Sequence, residues 1–286
     1  MYYPKLVKPL IDIAIPWNVL EEAPDEREKV RKIGYIGRGA AIFQVNKIVI
    51  YTYGKYDRRE VDFLLKNLLY LKTPPYLRRH IFKIEKELKF SGLLPPLKTP
   101  SHGFSEPKVG DVREGIVVRW NGYYSIVKIG DKYFAKIPKP YPIGSNVIVK
   151  LEAKTDREDT FRASVMSKDK LSIYWNVDVE IKRLKEIIGS SEYCIKIFTG
   201  KEGKCICNVV EKFVSSLKKA KKILVIYGSP RWGVDDILRS EGLEMELERN
   251  FFINFVPEQG VETIRTEEAI ILTLSIIHFM RTCMKV

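Results

Sequence analysis

The sequence predicts an α/β protein interrupted by a small all-β module, and three observations carry that expectation. Strands and amphipathic helices alternate over the first hundred residues. From residue 110 to about 167 short β-branched and aromatic runs replace them, separated by turn signals. After Leu171 the alternation of helix and strand resumes. At 286 residues the chain is long enough for two domains.

Taken in order, residues 10–15 form a short apolar strand closed by Pro16. Pro24 and Asp25 open a charged helix, since proline suits a first helical position. That helix runs on through Gly34-Tyr35-Ile36-Gly37-Arg38-Gly39-Ala40-Ala41-Ile42-Phe43. Its three glycines would each cost about 1 kcal/mol against alanine, so something must approach that backbone closely. Residues 47–53 are the second strand, and Val61, Leu64, Leu65, Leu68 and Leu69 fall on one face of a following helix. A Pro-bracketed helix and loop over 73–97 carries the basic set Arg78, Arg79, Lys83, Lys86 and Lys89. Pro100-Ser101-His102-Gly103 reads as a linker.

Residues 113–120, 123–129, 132–137, 146–151 and 161–165 read as five short strands. Asn121-Gly122, Gly130-Asp131 and Ile143-Gly144-Ser145 supply the turns, and five strands at this spacing suit a small OB-type barrel. Beyond it come a helix near 179–188, a strand near 193–198 and a helix near 207–219. Two apolar strands then each run into a Gly/Pro loop, Gly228-Ser229-Pro230 and Asn254-Phe255-Val256-Pro257-Glu258-Gln259-Gly260. Thr266 is placed as the N-cap of a final helix, buried because residues 269–279 are apolar almost all round. The expected partition is therefore an α/β domain split into 1–102 and 169–286, with the β module at 103–168 inserted.

The formal net charge of +13 attracts polyanions, nucleic acid first among them, although a Lys/Glu-rich, thermally robust surface gives the same composition. Four cysteines, at 194, 205, 207 and 283, are too few for a disulfide framework. Cys205-x-Cys207 has the wrong spacing for a zinc knuckle, and no metal site is expected. The opening residues do not read as a signal peptide, and residues 269–280 are too short to cross a bilayer, so no membrane partner is expected and a cytoplasmic protein is.

Flexible backbone at the carboxyl ends of buried strands is where open α/β sheets bind small ligands. Gly228 permits close approach, Pro257 lacks an amide donor, Gly260 offers unusual dihedrals, and Asn254 and Gln259 offer amides to a purine edge or an amino-acid moiety. Neither a dinucleotide fingerprint nor a Walker loop is present. Arg38 is either a solvated helix charge or a guanidinium reaching phosphate or a developing anion, and Arg265 poses the same choice. Glu267 and Glu268 suit the positive end of the final helix. In the β module, Arg119, Trp120, Tyr124, Lys132, Tyr133 and Lys136 combine aromatic faces with cations, as single-strand-binding sheets do. Arg78 and Arg79 extend that basic set.

These residues together resemble the SPOUT superfamily of methyltransferases, and within it the RNA uridine-N3 methyltransferases that carry an inserted OB-type domain. The resemblance covers nearly the whole chain. It rests on Ile11-Asp12-Ile13-Ala14-Ile15-Pro16, on the Gly-rich helix with Arg38-Gly39-Ala40-Ala41, on Tyr70-Leu71-Lys72-Thr73-Pro74-Pro75-Tyr76-Leu77-Arg78, on Phe90-Ser91-Gly92-Leu93-Leu94-Pro95-Pro96-Leu97, and on the three C-terminal segments. It implies a trefoil-knotted α/β domain, a homodimer, and S-adenosyl-L-methionine held by Tyr227, Gly228, Ser229 and Pro230, by Asn254, Val256, Pro257, Gln259 and Gly260, and by Ile264, Arg265 and Thr266. The expected reaction is methylation of a base, uridine N3, in ribosomal or other structured RNA, with Arg38 stabilising the anion and Glu258 as base. Ribose 2′-O-methylation, a non-catalytic RNA-binding dimer on the same scaffold and a small-molecule methyltransferase are the rivals.

Overall fold

The computed structural model describes residues 3–103 and 106–283. In chain order the elements are β1 (Leu10–Pro16), α1 (Glu26–Ile42), β2 (Val45–Thr52), α2 (Arg58–Lys72), α3 (Pro75–Ile81), β3 (Val112–Trp120), β4 (Ser125–Lys128), β5 (Phe134–Ile137), β6 (Asn146–Lys154) and β7 (Thr160–Met166). They continue with β8 (Asp178–Arg183), α4 (Leu184–Ile188), β9 (Ile195–Cys205), α5 (Ile206–Lys219), β10 (Lys222–Ile226), α6 (Val234–Ser240), β11 (Phe251–Asn254) and α7 (Thr266–Cys283). The chain divides into two compact units. One gathers the residues up to Leu6, Lys72–Lys86 and Leu97–Asn176; the other gathers Val7–Leu71, Glu87–Pro96 and the residues from Val177 on.

The second unit is a six-stranded sheet in the order β11-β9-β10-β1-β2-β8, with every pairing parallel. Nearly continuous apolar strands require cover on both faces. On one face Ala14, Val49, Leu224 and Ile226 pack with Leu184 and Ile187 of α4 and Val234, Ile237 and Leu238 of α6. Ile11, Ile13 and Ile15 alternate with these and are also wholly buried. Asp25 caps α1 by accepting from the Glu28 amide at 2.8 Å. The α1 glycines face what their sequence context demands. A Cβ at Gly34 would lie 2.6 Å from Pro95, one at Gly37 2.4 Å from Leu71, and one at Gly39 3.1 Å from Ile271 of α7. The far end of α7 is fixed by Arg281, buried, which donates to the carbonyls of Val7, Pro9 and Phe43.

Two expectations fail here. Residues 179–188 are not one helix: β8 pairs with β2, and only Leu184–Ile188 is helical. Val179 and Ile181 alternate with Glu180 and Lys182, a period of two that suits a charged edge strand, and Glu180 pairs with both Lys47 (3.1 Å) and Lys182 (2.9 Å). The segment read as a linker is a buried turn. Pro100, Ser101 and His102 are buried, the Thr99 hydroxyl lies 2.7 Å from His102 Nδ1, and Gly103 leaves the turn with φ +55°. The Thr99 and Ser101 hydroxyls and the imidazole Nδ1 satisfy one another, which helps the turn tolerate burial.

The first unit is built on a closed barrel in the order β3-β4-β5-β7-β6, with antiparallel neighbours except for the parallel pair β5 and β7. Alternate residues Val117, Val127, Ile129, Ala135, Ile137, Val147, Val149, Leu151, Phe161 and Ala163 fill it. Tyr76 of α3 donates to the Glu114 carbonyl at 2.8 Å and packs with Leu77 on Ile116.

At the opposite end of the large sheet from its loops, Asp12 is wholly buried. Lys222 lies 2.8 Å from its carboxylate, and Tyr193 and Asn46 each donate to it at 3.0 Å. Burial is the largest influence and holds this carboxyl above its ordinary range, although Lys222, Asn46 and Tyr193 all pull it back. A carboxyl held higher in the folded chain contributes fully at low pH and loses that contribution as pH rises through its folded value. Asp12→Asn removes this loss, so its stability relative to the parent should rise as pH climbs above about 4 in urea titrations. Elsewhere, a Cβ at Gly203 would sit 2.6–2.7 Å from the backbone of Ile253 and Asn254. Gly203→Ala should therefore cost about 1–3 kcal/mol of unfolding free energy, measured the same way.

Candidate functional site

At the carboxyl end of β10 the backbone leaves the ladder, and its carbonyls need other donors. Three hydroxyls from three different elements supply them. Thr199 of β9 donates to the Ile226 carbonyl at 3.0 Å, Tyr51 of β2 to that of Tyr227 at 2.7 Å, and Thr266 of α7 to that of Gly228 at 3.3 Å. The next turn closes on itself, with the Ser229 amide donating to the Trp232 carbonyl at 2.9 Å and the Trp232 amide to Ser229 Oγ at 3.0 Å.

Beside this turn β9 departs from its pairing with β11. Phe252 is opposite Phe198, yet Ile253 is opposite Lys204, so residues 199–203 stand out as a protrusion. Glycine is required at both ends. A Cβ at Gly200 would be 2.7 Å from the Phe252 ring, and Gly203 faces backbone as described above. Asn254 braces the protrusion by donating to the Lys201 carbonyl at 3.0 Å and accepting from the Val256 amide at 3.0 Å. Gln259 donates to the carbonyls of Val261 and Glu262 at 2.8 and 3.0 Å. Both amides thus shape the loop. Its left-handed residue is Glu258, at φ +53°, and not Gly260 as the sequence suggests. Thr266 is also not the N-cap but the first helical residue. The capping contact runs from the Arg265 amide to the Glu268 carboxylate at 3.0 Å, which frees the Thr266 hydroxyl for Gly228.

These loops enclose a cavity of about 290 Å³, near the small end of ligand sites. Of the residues expected to hold a ligand, Tyr227, Gly228, Ser229, Pro230, Asn254, Val256, Gln259, Ile264, Arg265 and Thr266 line it, while Pro257 and Gly260 do not. Arg38 and Glu258 are not on its wall. Arg38 is half-buried and donates to the Pro96 carbonyl at 3.1 Å, and Glu258 is exposed. The cavity adds residues that sequence reasoning missed: Thr199, Gly200 and Lys201 from the protrusion, and Glu22 from the loop after β1. The spaced glycines of Thr199-Gly200-Lys201-Glu202-Gly203 were the available signal for the first group; nothing marked Glu22. Tyr227 is wholly buried on the wall, and burial pushes its phenol well up, with Thr273 opposing weakly. Among the described residues no group of His, Cys, Asp and Glu could hold a metal ion, and no helix is long and apolar enough to cross a membrane.

The basic and aromatic residues expected to grip a polyanion divide between surface and core. The β3–β4 turn is pinned by Asn121, whose side chain accepts from the Tyr123 and Tyr124 amides at 3.1 and 2.8 Å, with Gly122 at φ +91°. It presents Trp120, Tyr123 and Tyr124 to solvent beside the exposed Arg119, and Tyr123 is 80% exposed. Tyr133 instead packs against the barrel core and donates to Glu106 at 2.9 Å. Lys132 lies over the Tyr133 ring and is exposed, and Lys136 is half-buried on β5. On α3, Arg78 donates to the Thr73 carbonyl at 3.1 Å and Arg79 meets Asp131 at 3.5 Å.

Against known proteins, residues 10–277 match the family model described as "Putative RNA methyltransferase". A Drosophila melanogaster protein named 28S rRNA (uridine-N(3))-methyltransferase is 27% identical over 93% of this chain, which covers only 61% of that protein's length. A Homo sapiens protein of the same name is 28% identical over 93% of this chain and 77% of its own length. An uncharacterized Halobacterium salinarum protein is 26% identical over 92% of this chain and 96% of its own.

The geometry makes the Tyr51 hydroxyl a fixed support of the cavity wall. Tyr51→Phe leaves the buried Tyr227 carbonyl without that donor and should cost about 1–2 kcal/mol. Amide exchange at Tyr227 and Ser229 should accelerate; exchange as slow as in the parent would show that the wall holds without it.

Proposed function

This chain belongs to that RNA methyltransferase family, and we propose that it methylates N3 of a uridine in ribosomal RNA, with S-adenosylmethionine as donor. The observation that carries the reading is the braced cavity at the carboxyl ends of β9, β10 and β11, within a chain that the family model spans almost end to end. The names of the fly and human relatives support the base and the RNA class. The net charge of +13 supports a polyanionic substrate.

The chemistry of the wall fits the donor. Ile253, Phe255, Val256 and Ile264 offer apolar surface to a purine, Lys201, Arg231 and Arg265 offer cations to a carboxylate, and Glu22 and Glu262 offer negative charge to positive centres. When bound, S-adenosylmethionine supplies an electrophilic methyl group on a sulfonium. The protein's part is to align the uridine, exclude water and ease the loss of the N3 proton. In this reading Arg38 stabilises the resulting anion, and the exposed Glu258 beside the cavity accepts the proton.

Arg38 is not on the wall of its own chain's cavity, and in this reading a second copy brings it to one. Tyr35, Arg38 and Ile42 share one face of α1. Tyr35 and Ile42 are exposed there, as are Ile271, Leu272 and Phe279 on the neighbouring α7. Exposed apolar side chains on two packed helices support a homodimer through that face. The Thr266 bond to Gly228 and the order β11-β9-β10-β1 support a SPOUT-type path in which the segment after β11 passes through the loop after β10. The barrel's strand order, with its single parallel closure, supports an OB-type module, and its rigid aromatic turn supports stacking on unpaired bases.

Nucleoside mass spectrometry of ribosomal RNA incubated with the protein and labelled S-adenosylmethionine should yield 3-methyluridine. A ribose-methylated product would overturn the base assignment. Arg38→Ala should lower the rate by about a hundredfold or more with donor affinity unchanged, whereas Trp120→Ala should weaken RNA binding by about tenfold.

A further inference from the structure

Glu22 stands on the cavity wall without any part in the bracing described above. Its carboxylate pairs with the ammonium of Lys32 on α1, and Lys32 also meets Glu267 of α7 at 3.4 Å. Lys32 is 3% exposed and Glu267 6%, so the lysine and the second acid are sealed inside the fold. Glu267 Oε2 is buried and has no hydrogen-bond partner among the described residues. Two carboxylates share one ammonium, so the ionised group carries one net negative charge, and among the described residues no second cation pairs with either carboxylate. Its solvent-facing end, Glu22, is the end that borders the cavity.

Such an arrangement costs stability unless it meets a positive charge. The cavity's cations, Lys201, Arg231 and Arg265, come from other loops, and Arg231 is already paired with Glu21 at 3.5 Å. Glu262, the other acid on the wall, lies in an exposed loop and is not anchored by a buried cation. Glu22 is thus the acid whose position the fold fixes.

We infer that Glu22, held by Lys32 and Glu267, is the residue that distinguishes the charged sulfonium of the methyl donor from the uncharged thioether of the spent donor. This rests on the reading of the cavity as an S-adenosylmethionine site. S-adenosylmethionine and S-adenosylhomocysteine share adenosine, ammonium and carboxylate groups, and differ by one methyl group and one positive charge on sulfur. A negative charge fixed beside a partly desolvated cavity favours the first and is indifferent to the second. The same charge therefore promotes exchange of spent for fresh donor.

Calorimetric titration of the parent and of Glu22→Gln with three ligands tests this: S-adenosylmethionine, S-adenosylhomocysteine and sinefungin, in which a protonated amine replaces the S-methyl group. Glu22→Gln should weaken the two cationic ligands by about tenfold, ~1.4 kcal/mol, and leave S-adenosylhomocysteine within about twofold. Equal weakening of all three, or no weakening, overturns the inference; circular dichroism of the unliganded variant establishes that it is folded. A parent protein that binds none of the three overturns the reading of the cavity itself, and this inference with it.

Discussion

The carbonyls of Ile226, Tyr227 and Gly228 are the point on which the cavity depends. A parallel strand that ends in a loop loses its ladder partners one by one, and a buried carbonyl without a donor costs about as much as a lost hydrogen bond. Here the donors are hydroxyls of β9, β2 and α7, elements far apart in sequence. The loop is therefore rigid only when the sheet is assembled on both sides of β10 and the last helix is in place. Binding geometry and folding are thereby a single problem for this unit, and the small-residue contacts of α1 against Leu71, Pro95 and Ile271 serve the same end from beneath.

The barrel solves a different problem with different means. Its core alternates with period two, and its polar and aromatic residues are sorted by where the pleat sends them. Tyr133 falls inward, while the Asn121-pinned turn sends Trp120, Tyr123 and Tyr124 outward. A pinned turn loses little further conformational freedom when something stacks on it, which makes exposed aromatic surface there more useful than the same rings on a mobile loop.

Much of this was legible in the sequence, for physical reasons that name its limits. Central strands such as Ile223–Tyr227 announce themselves because burial on both faces leaves no polar position, and the α1 glycines could only mean close packing. The barrel strands were legible because alternation and turn dipeptides coincide. What escaped notice depends on long-range partners. Residues 179–188 carry a helix-like spacing of Val179, Leu184 and Ile187 as well as an alternation, and only the edge of β2 decides between them. Lys32 looks like any helix-surface lysine until Glu22 and Glu267 close around it. Asn254 and Gln259 line the cavity, but that their amides also brace the loop was hidden, because a sequence does not show which backbone groups a loop leaves for its own side chains to satisfy. The place of the cavity was readable from strand ends and loops; the inner tether of its one anchored acid was not.

The strand order has a consequence for synthesis on the ribosome. β1 is made before every other strand of the sheet, yet on one side it pairs with β10, Leu10 opposite Lys222, and α7 ties the chain ahead of it through Arg281. Until more than two hundred residues have been translated that edge of β1 has no native neighbour, whereas every strand of the barrel is complete well before then. The nascent protein thus carries an open apolar edge until β10 is made, with a high contact order to overcome when it pairs. The charged alternation of β8, added on the far side of β2 midway through, blunts the other edge of that waiting sheet before the remaining strands arrive.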